Sequence, residues 1–263
     1  MSSTFATHEF DAAALARTMH DLHDHGVAVV PGVLSREEAA TGLERLWAAA
    51  AASERRGVST RAETLDPNAA NIRIWNLLDL DPLFRRLIEH PVSAAIVTSL
   101  LGADHIVSNF TANIARPGSE SMGVHSDQSL VTPPPWHTAC AINIIWCFTD
   151  VTADNGGTLH VPGSHRIAER DDVPGDLAAR MVPFEAPAGS ILAMDGRVWH
   201  TSGRNVTTDQ DRALAFAFLT SPWVRPQFNH SAALSPESQA DCSPMLRYRL
   251  GLDLWQNVTL GQP

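Results

Sequence analysis

The chain has no long hydrophobic run, no cluster of basic residues and few cysteines, and each absence removes a class of protein. Its apolar stretches fall well short of the roughly 20 residues that a bilayer-crossing helix needs. A net charge of −10, with the basic residues scattered, argues against a nucleic-acid surface. The three cysteines, Cys140, Cys147 and Cys242, show no metal-binding spacing, and an odd number fits a reducing compartment. Cys140 and Cys147 are expected as small apolar core groups. The N-terminus is polar and acidic and resembles no secretory signal, so a cytoplasmic protein is expected. No internal repeat or low-complexity linker divides the 263 residues, and a single domain over 1–263 is expected.

Helical signals dominate a front of about residues 1–102. Leu15, Met19 and Leu22 recur at helical spacing within 11–25, and Gly26 ends the run. Val27 to Val30 reads as a short strand closed by Pro31-Gly32. Ser35-x-x-Glu38 is a capping box opening an Ala-rich helix that carries Leu43, Leu46 and Trp47. Residues 53–70 are polar and irregular and read as a loop. Asp81-Pro82 starts another helix, and a further one over 92–101 ends at Gly102.

Beyond this front, in a core of about 103–225, strand-like runs lie at 105–115, 138–149, 158–161, 190–194 and 213–220. Turns containing Pro and Gly separate them, and Asp154-Asn155-Gly156-Gly157 reads as a hairpin turn. Many short strands behind a helical face predict an α+β, mainly β fold. Its core would be a double-stranded β-helix of jelly-roll or cupin kind with N-terminal flanking helices. The segment 226–263, with Trp255, reads as a lid, a subunit contact or a packed tail.

The chemistry centres on His125-Ser126-Asp127 and, far downstream, His200. In an extended segment residues i and i+2 point to one side, so His125 and Asp127 can meet one metal. His200 would then join from a strand distant in sequence and adjacent in space. Two imidazoles and one carboxylate hold non-haem Fe(II) on one face and leave three positions open. Met122, Gln128, Pro134, Trp136 and His137 flank this motif and are candidates for the cavity mouth. His165 reads as loop support; His20, His23 and His25, near a helix C-terminus, read as surface residues.

His200-Thr201-Ser202-Gly203-Arg204-Asn205, followed by Arg212 ahead of the apolar run Ala213 to Leu219, resembles the distal signature of the phytanoyl-CoA dioxygenase family of Fe(II)/2-oxoglutarate oxygenases. Asn143 to Trp146, Asp154 to Thr158, Val161 to His165, Asn71 to Trp75 and Asp81 to Phe84 extend the likeness. The match runs from about residue 10 to about residue 225. The resemblance implies the same fold, with the metal at the mouth of the barrel and His125, Asp127 and His200 as its ligands. It implies Arg212 as the fork that grips the distal carboxylate of 2-oxoglutarate, with Ser202 adding a hydroxyl and Trp146 an indole N–H. Arg212 lies one residue further from His200 than in close relatives, which leaves Arg204 as a rival. Arg73 and Trp75, from a segment that faces the pocket in relatives, join Met122, Gln128 and Trp136 as candidate substrate contacts.

The implied reaction uses Fe(II), 2-oxoglutarate and O2, releases succinate and CO2, and oxidises an unactivated C–H bond, most simply by hydroxylation. A carboxylate at Asp127 argues against halogenation. The acidic chain lacks a basic cluster for coenzyme A phosphates, which favours a small organic substrate in secondary metabolism. A metal cupin that does not use 2-oxoglutarate, an isomerase or a substrate-cleaving dioxygenase, shares the triad and leaves Arg212 idle. A non-catalytic jelly-roll binding module is a third reading. The expected partner is a small molecule, with no nucleic acid or membrane, and a homodimer is compatible with the sequence.

Overall fold

Alternation along every central strand gives the main sheet one face for helices and one for a cavity. The computed structural model describes residues 10–134 and 136–253. The helical front contains α1 (Ala12–His25), β1 (Val27–Val30), α2 (Arg36–Arg55), β2 (Asn71–Ile74), α3 (Leu77–Leu80), α4 (Pro82–Ile88) and α5 (Pro91–Leu101). The β region follows with β3 (Ile106–Ala115), β4 (Ala141–Cys147), β5 (Leu159–His160), β6 (Val182–Pro183), β7 (Ile191–Asp195), β8 (His200–Thr201) and β9 (Arg212–Thr220). Three short helices close the described chain: α6 (His230–Ala233), α7 (Pro236–Ala240) and α8 (Pro244–Arg249).

Local chemistry sets the helix ends. Asp11 caps α1 by accepting from Ala14 N–H at 2.7 Å, and Gly26, at φ 78°, ends it in the left-handed region. Ser35 and Glu38 form the reciprocal capping box of α2, at 3.1 and 2.7 Å. Asp81 caps α4, with Pro82 in the first turn where no N–H is needed.

Six strands form one antiparallel sheet in the order β1-β7-β4-β9-β3-β2, and β6-β5-β8 form a smaller one opposite. Together they make the expected jelly roll. On the outer face, Phe110, Ile144, Trp146, Ala193, Ala215 and Ala217 pack with Leu22, Leu46, Phe84 and Ile96 of the helices. The alanines on β7 and β9 let the helices come close to the sheet. On the inner face, Ile145, Cys147, Leu192, Leu214 and Val198 fill the space between the sheets. Where that filling stops, the cavity begins.

One expectation changes, one segment gains an element that its sequence did not announce, and one open reading narrows. Asp154 to Gly157 does not turn a hairpin: it carries the chain from β4 in the large sheet to β5 in the small one. Asn155 forms a bridge with Asn205 instead. Residues 71–74 are an edge strand, held by register with β3 rather than by their own apolar pattern. Residues 226–253 are a packed tail, with His230 Nε2 3.0 Å from Val107 O and Arg85 paired to Asp241 at 2.6 Å. Trp255 lies outside the described residues.

Gly203 extends the β5–β8 pairing of the small sheet, its N–H donating to Gly157 O at 3.1 Å. A Cβ there would sit 2.4 Å from the carbonyl oxygen of Gly157, which is backbone and cannot step aside. Gly203→Ala should therefore lower stability by about 2 kcal/mol, as overpacking does. Gly175→Ala, where nothing lies within 4 Å, should leave the denaturant midpoint nearly unchanged. Urea titrations of the two variants beside the parent check both outcomes.

Candidate active site

A cavity of about 540 Å³ opens between the sheets at the end away from the apolar filling. His125, Asp127, His200, Ser202 and Arg212 all line it. The H-x-D segment is not a regular strand. His125 pairs with His200 in an isolated antiparallel bridge, Ser126 is extended, and Asp127 begins a short 3-10 turn over 127–130. The bridge brings the two histidines together, with ring centres 4.3 Å apart. The turn brings the Asp127 carboxylate close to both Nε2 atoms.

Asp127 Oδ1 lies 3.6 Å from His125 Nε2 and 4.0 Å from His200 Nε2. These separations are too long for hydrogen bonds, and the donor atoms of all three residues lie within 4.8 Å of one another, so one ion can sit among them. Each imidazole donates its Nδ1–H to the carbonyl two residues before it, Gly123 at 2.9 Å and Val198 at 3.0 Å. That choice of tautomer leaves both Nε2 lone pairs facing the carboxylate, as metal ligation requires. Burial pushes the His200 pKa below its ordinary value, with Asp127 opposing, which favours the neutral ligand form. Asn143 on β4 donates to the other carboxylate oxygen, Oδ2, at 3.0 Å.

Deeper in the same cavity Arg212 is 1% exposed. Its Nε donates to Gly156 O at 3.0 Å and one terminal nitrogen reaches Asn113 O at 3.5 Å. No carboxylate among the described residues forms an ion pair with it. Burial, then the neighbouring Arg73, lowers its pKa to about 10, so it stays cationic at neutral pH. Arg73 is different, because Asp66 neutralises it through two hydrogen bonds of 2.7 and 2.9 Å. A buried, unpaired guanidinium is costly unless a ligand supplies its anion. Arg204 is not a rival: it is exposed and lies 3.6 Å from Glu120.

Of the other expected residues, Met122, Arg73 and Trp75 line the cavity. Ser202 accepts from Met122 N–H at 3.1 Å, which leaves its O–H to donate. Three placements need correction. Trp146 points to the helix side of β4, where it meets His90 edge-on at 5.4 Å, because the inner positions of that strand are Asn143 and Ile145. Gln128 is buried behind the loop, where its amide binds Thr138 O and Cys140 N–H. Trp136 donates to Val131 O and stacks under Arg170 away from the cavity. Asn109, Thr111 and Asn113, which are not among the expected site residues, line the cavity from β3. Their period of two within an apolar strand was a usable signal. Thr158, at the end of the Asp154 to Thr158 segment, and Gln227 also reach the cavity, and no sequence signal marked Gln227.

A jelly roll with two imidazoles and a carboxylate at its open end, and an unpaired guanidinium further in, defines a non-haem iron, 2-oxoglutarate-dependent dioxygenase. The chain belongs to the phytanoyl-CoA dioxygenase (PhyH) family, whose model matches residues 22–213. It is 50% identical over 231 residues to Dioxygenase af480 of Aspergillus fumigatus, covering 88% of this chain and 75% of that protein. Among solved structures, the non-haem α-ketoglutarate-dependent epimerase SnoN from nogalamycin biosynthesis superposes with a TM-score of 0.66 at 23% identity, covering 82% of this chain and 85% of that one. HygX from Streptomyces hygroscopicus, with nickel and 2-oxoglutarate bound, gives 0.63 at 15% identity, covering 80% and 88%. At these identities the two structures speak to the fold.

Buried histidines should make the fold acid-sensitive. His160, opposite His200 in the β5–β8 pair, and His105 are pushed from 6.5 down to about 4, chiefly by burial. Below pH 6.5 the unfolded chain therefore binds protons that the folded chain refuses, so stability should fall as pH drops from 6.5 towards 4. His160→Phe should flatten part of that slope in urea titrations across this range.

Proposed function

We propose that this chain hydroxylates an unactivated C–H bond of an uncharged small organic molecule, releasing succinate and CO2 from 2-oxoglutarate. The reading rests above all on Arg212, a buried guanidinium without a carboxylate partner in the cavity that holds the triad. His125, Asp127 and His200 would hold the iron, which, when bound with 2-oxoglutarate and O2, supplies the oxidising power. Arg212 provides a rigid fork for the distal carboxylate, and Ser202 adds its hydroxyl. Ile145, which lines the cavity, packs with Leu192, Leu214 and Cys147 in a buried apolar cluster that would exclude water from that side of the site.

The cavity walls support an uncharged substrate. Apart from the triad and Arg212, its charged lining residue is Arg73, which Asp66 already neutralises. Leu65, Trp75, Met122, Phe216 and Phe218 provide apolar area, while Asn109 and Thr111 offer hydrogen bonds. Among the described lining residues other than Arg212, none offers a coenzyme A thioester a free cation for its phosphates. A role in secondary metabolism is part of the same proposal and rests on the small, largely apolar cavity. A cupin that ignores 2-oxoglutarate would leave the burial of Arg212 without a purpose.

Anaerobic addition of Fe(II) and then 2-oxoglutarate to metal-free protein should produce a weak visible charge-transfer band that needs both. Arg212→Leu should raise the 2-oxoglutarate concentration needed for the band by about 100-fold, the cost of removing one partner of a buried charge pair. The metal-free variant should be at least as stable as the parent, since an apolar side chain replaces an unpaired charge. Unchanged 2-oxoglutarate affinity in Arg212→Leu would overturn the assignment.

A further inference from the structure

Asn143 carries a role that nothing above requires of it. It is 7% exposed on the inner face of β4, between Ile142 and Ile144, which belong to the helix-side core. Its side chain makes one hydrogen bond, from Nδ2 to Asp127 Oδ2 at 3.0 Å. Its Oδ1 is buried with no partner among the described residues. A buried amide that leaves its acceptor unpaired costs stability, so packing does not explain it. The amide orientation is dictated by Asp127, because only Nδ2 can face a carboxylate oxygen.

The consequence lies in how Asp127 divides its two oxygens. Oδ1 faces both His Nε2 atoms, at 3.6 and 4.0 Å, while Oδ2 is turned away and tied to the amide. Three protein donors would leave three positions on Fe(II), enough for a chelating 2-oxo acid and O2. We propose that Asn143 is a positioning residue: its tie to Oδ2 holds the Asp127 carboxylate so that Oδ1 is presented, with the two His Nε2 atoms, to the metal. The proposal rests on the reading of the site as an iron and 2-oxoglutarate centre.

Anaerobic Fe(II) titration of the metal-free parent, Asn143→Leu and Asn143→Ala, followed by 2-oxoglutarate, tests it. Loss of the tie should weaken Fe(II) binding about 10- to 100-fold, as loss of a partner to a metal ligand does. It should also shift or weaken the charge-transfer band, while the melting temperature of the metal-free protein holds or rises in Asn143→Leu. A merely structural amide gives the reverse pattern: a lower melting temperature with iron affinity and band unchanged, which would sink the proposal. Asn143→Ala, which vacates space instead of filling it, reports the same iron affinity if the leucine variant does not fold. Should the parent bind iron without any band, the 2-oxoglutarate reading fails, and the iron affinities alone then decide the role of Asn143.

Discussion

Everything at this site depends on the two-residue pleat of the six-stranded sheet. Each inner strand serves a helix layer on one side and a reaction chamber on the other, so its neighbours in sequence have opposite duties. On β4, Ile142, Ile144 and Trp146 belong to the helix core, while Asn143 and Ile145 face the cavity. A slip of one residue would send Trp146 into the chamber and Asn143 into the helix core. The pairing of β4 with β7 and β9 on both sides makes such a slip costly, because every buried row would have to invert. Side-chain size follows the same division. Small residues on the outer face of β9 admit the helices, whereas Phe216 and Phe218 on its inner face shape the cavity.

The chamber is also where the fold tolerates polar groups that elsewhere would destabilise it. Arg73 and Asp66 form a satisfied pair and ask nothing of a ligand. Arg212 is buried more deeply and has carbonyl partners but, among the described residues, no counter-ion. Asn143 has an acceptor with no partner among the described residues, beside the candidate metal ligands. Groups of this kind persist because the structure around them is otherwise well determined: apolar layers outside and inside, capped helices, and strands paired along their length. The price in stability is concentrated where cosubstrate and metal would repay it.

Much of the fold was readable because the signals were local. The capping box at Ser35 and Glu38, the Asp81-Pro82 helix start and the Gly26 stop each depend on atoms within a few residues, and each formed as expected. The long strands around 106–115 and 212–220 were legible as apolar runs. The turn at Asp154 to Gly157 was misread because its composition sets its bend, while the sheet that the next strand joins is a matter of long-range pairing. The edge strand at 71–74 escaped for the same reason. Trp146 was misplaced because a motif names a residue without its phase on the strand, and Gln128 and Trp136 because nearness in sequence to His125 is not nearness to the cavity.

By itself the sequence determined which residue types were present for the chemistry: two imidazoles, a carboxylate and an arginine with the right neighbours to suggest a metal and a 2-oxo acid. It also determined the helix ends and the apolar strands, because these follow from short-range hydrogen bonding and periodicity. Only the tertiary structure decided which oxygen of Asp127 faces the histidines, which of Arg73, Arg204 and Arg212 lacks a counter-ion, and which face of β4 meets the cavity. Those outcomes rest on contacts between residues far apart in the chain, and a long-range contact leaves no local mark on the sequence that makes it.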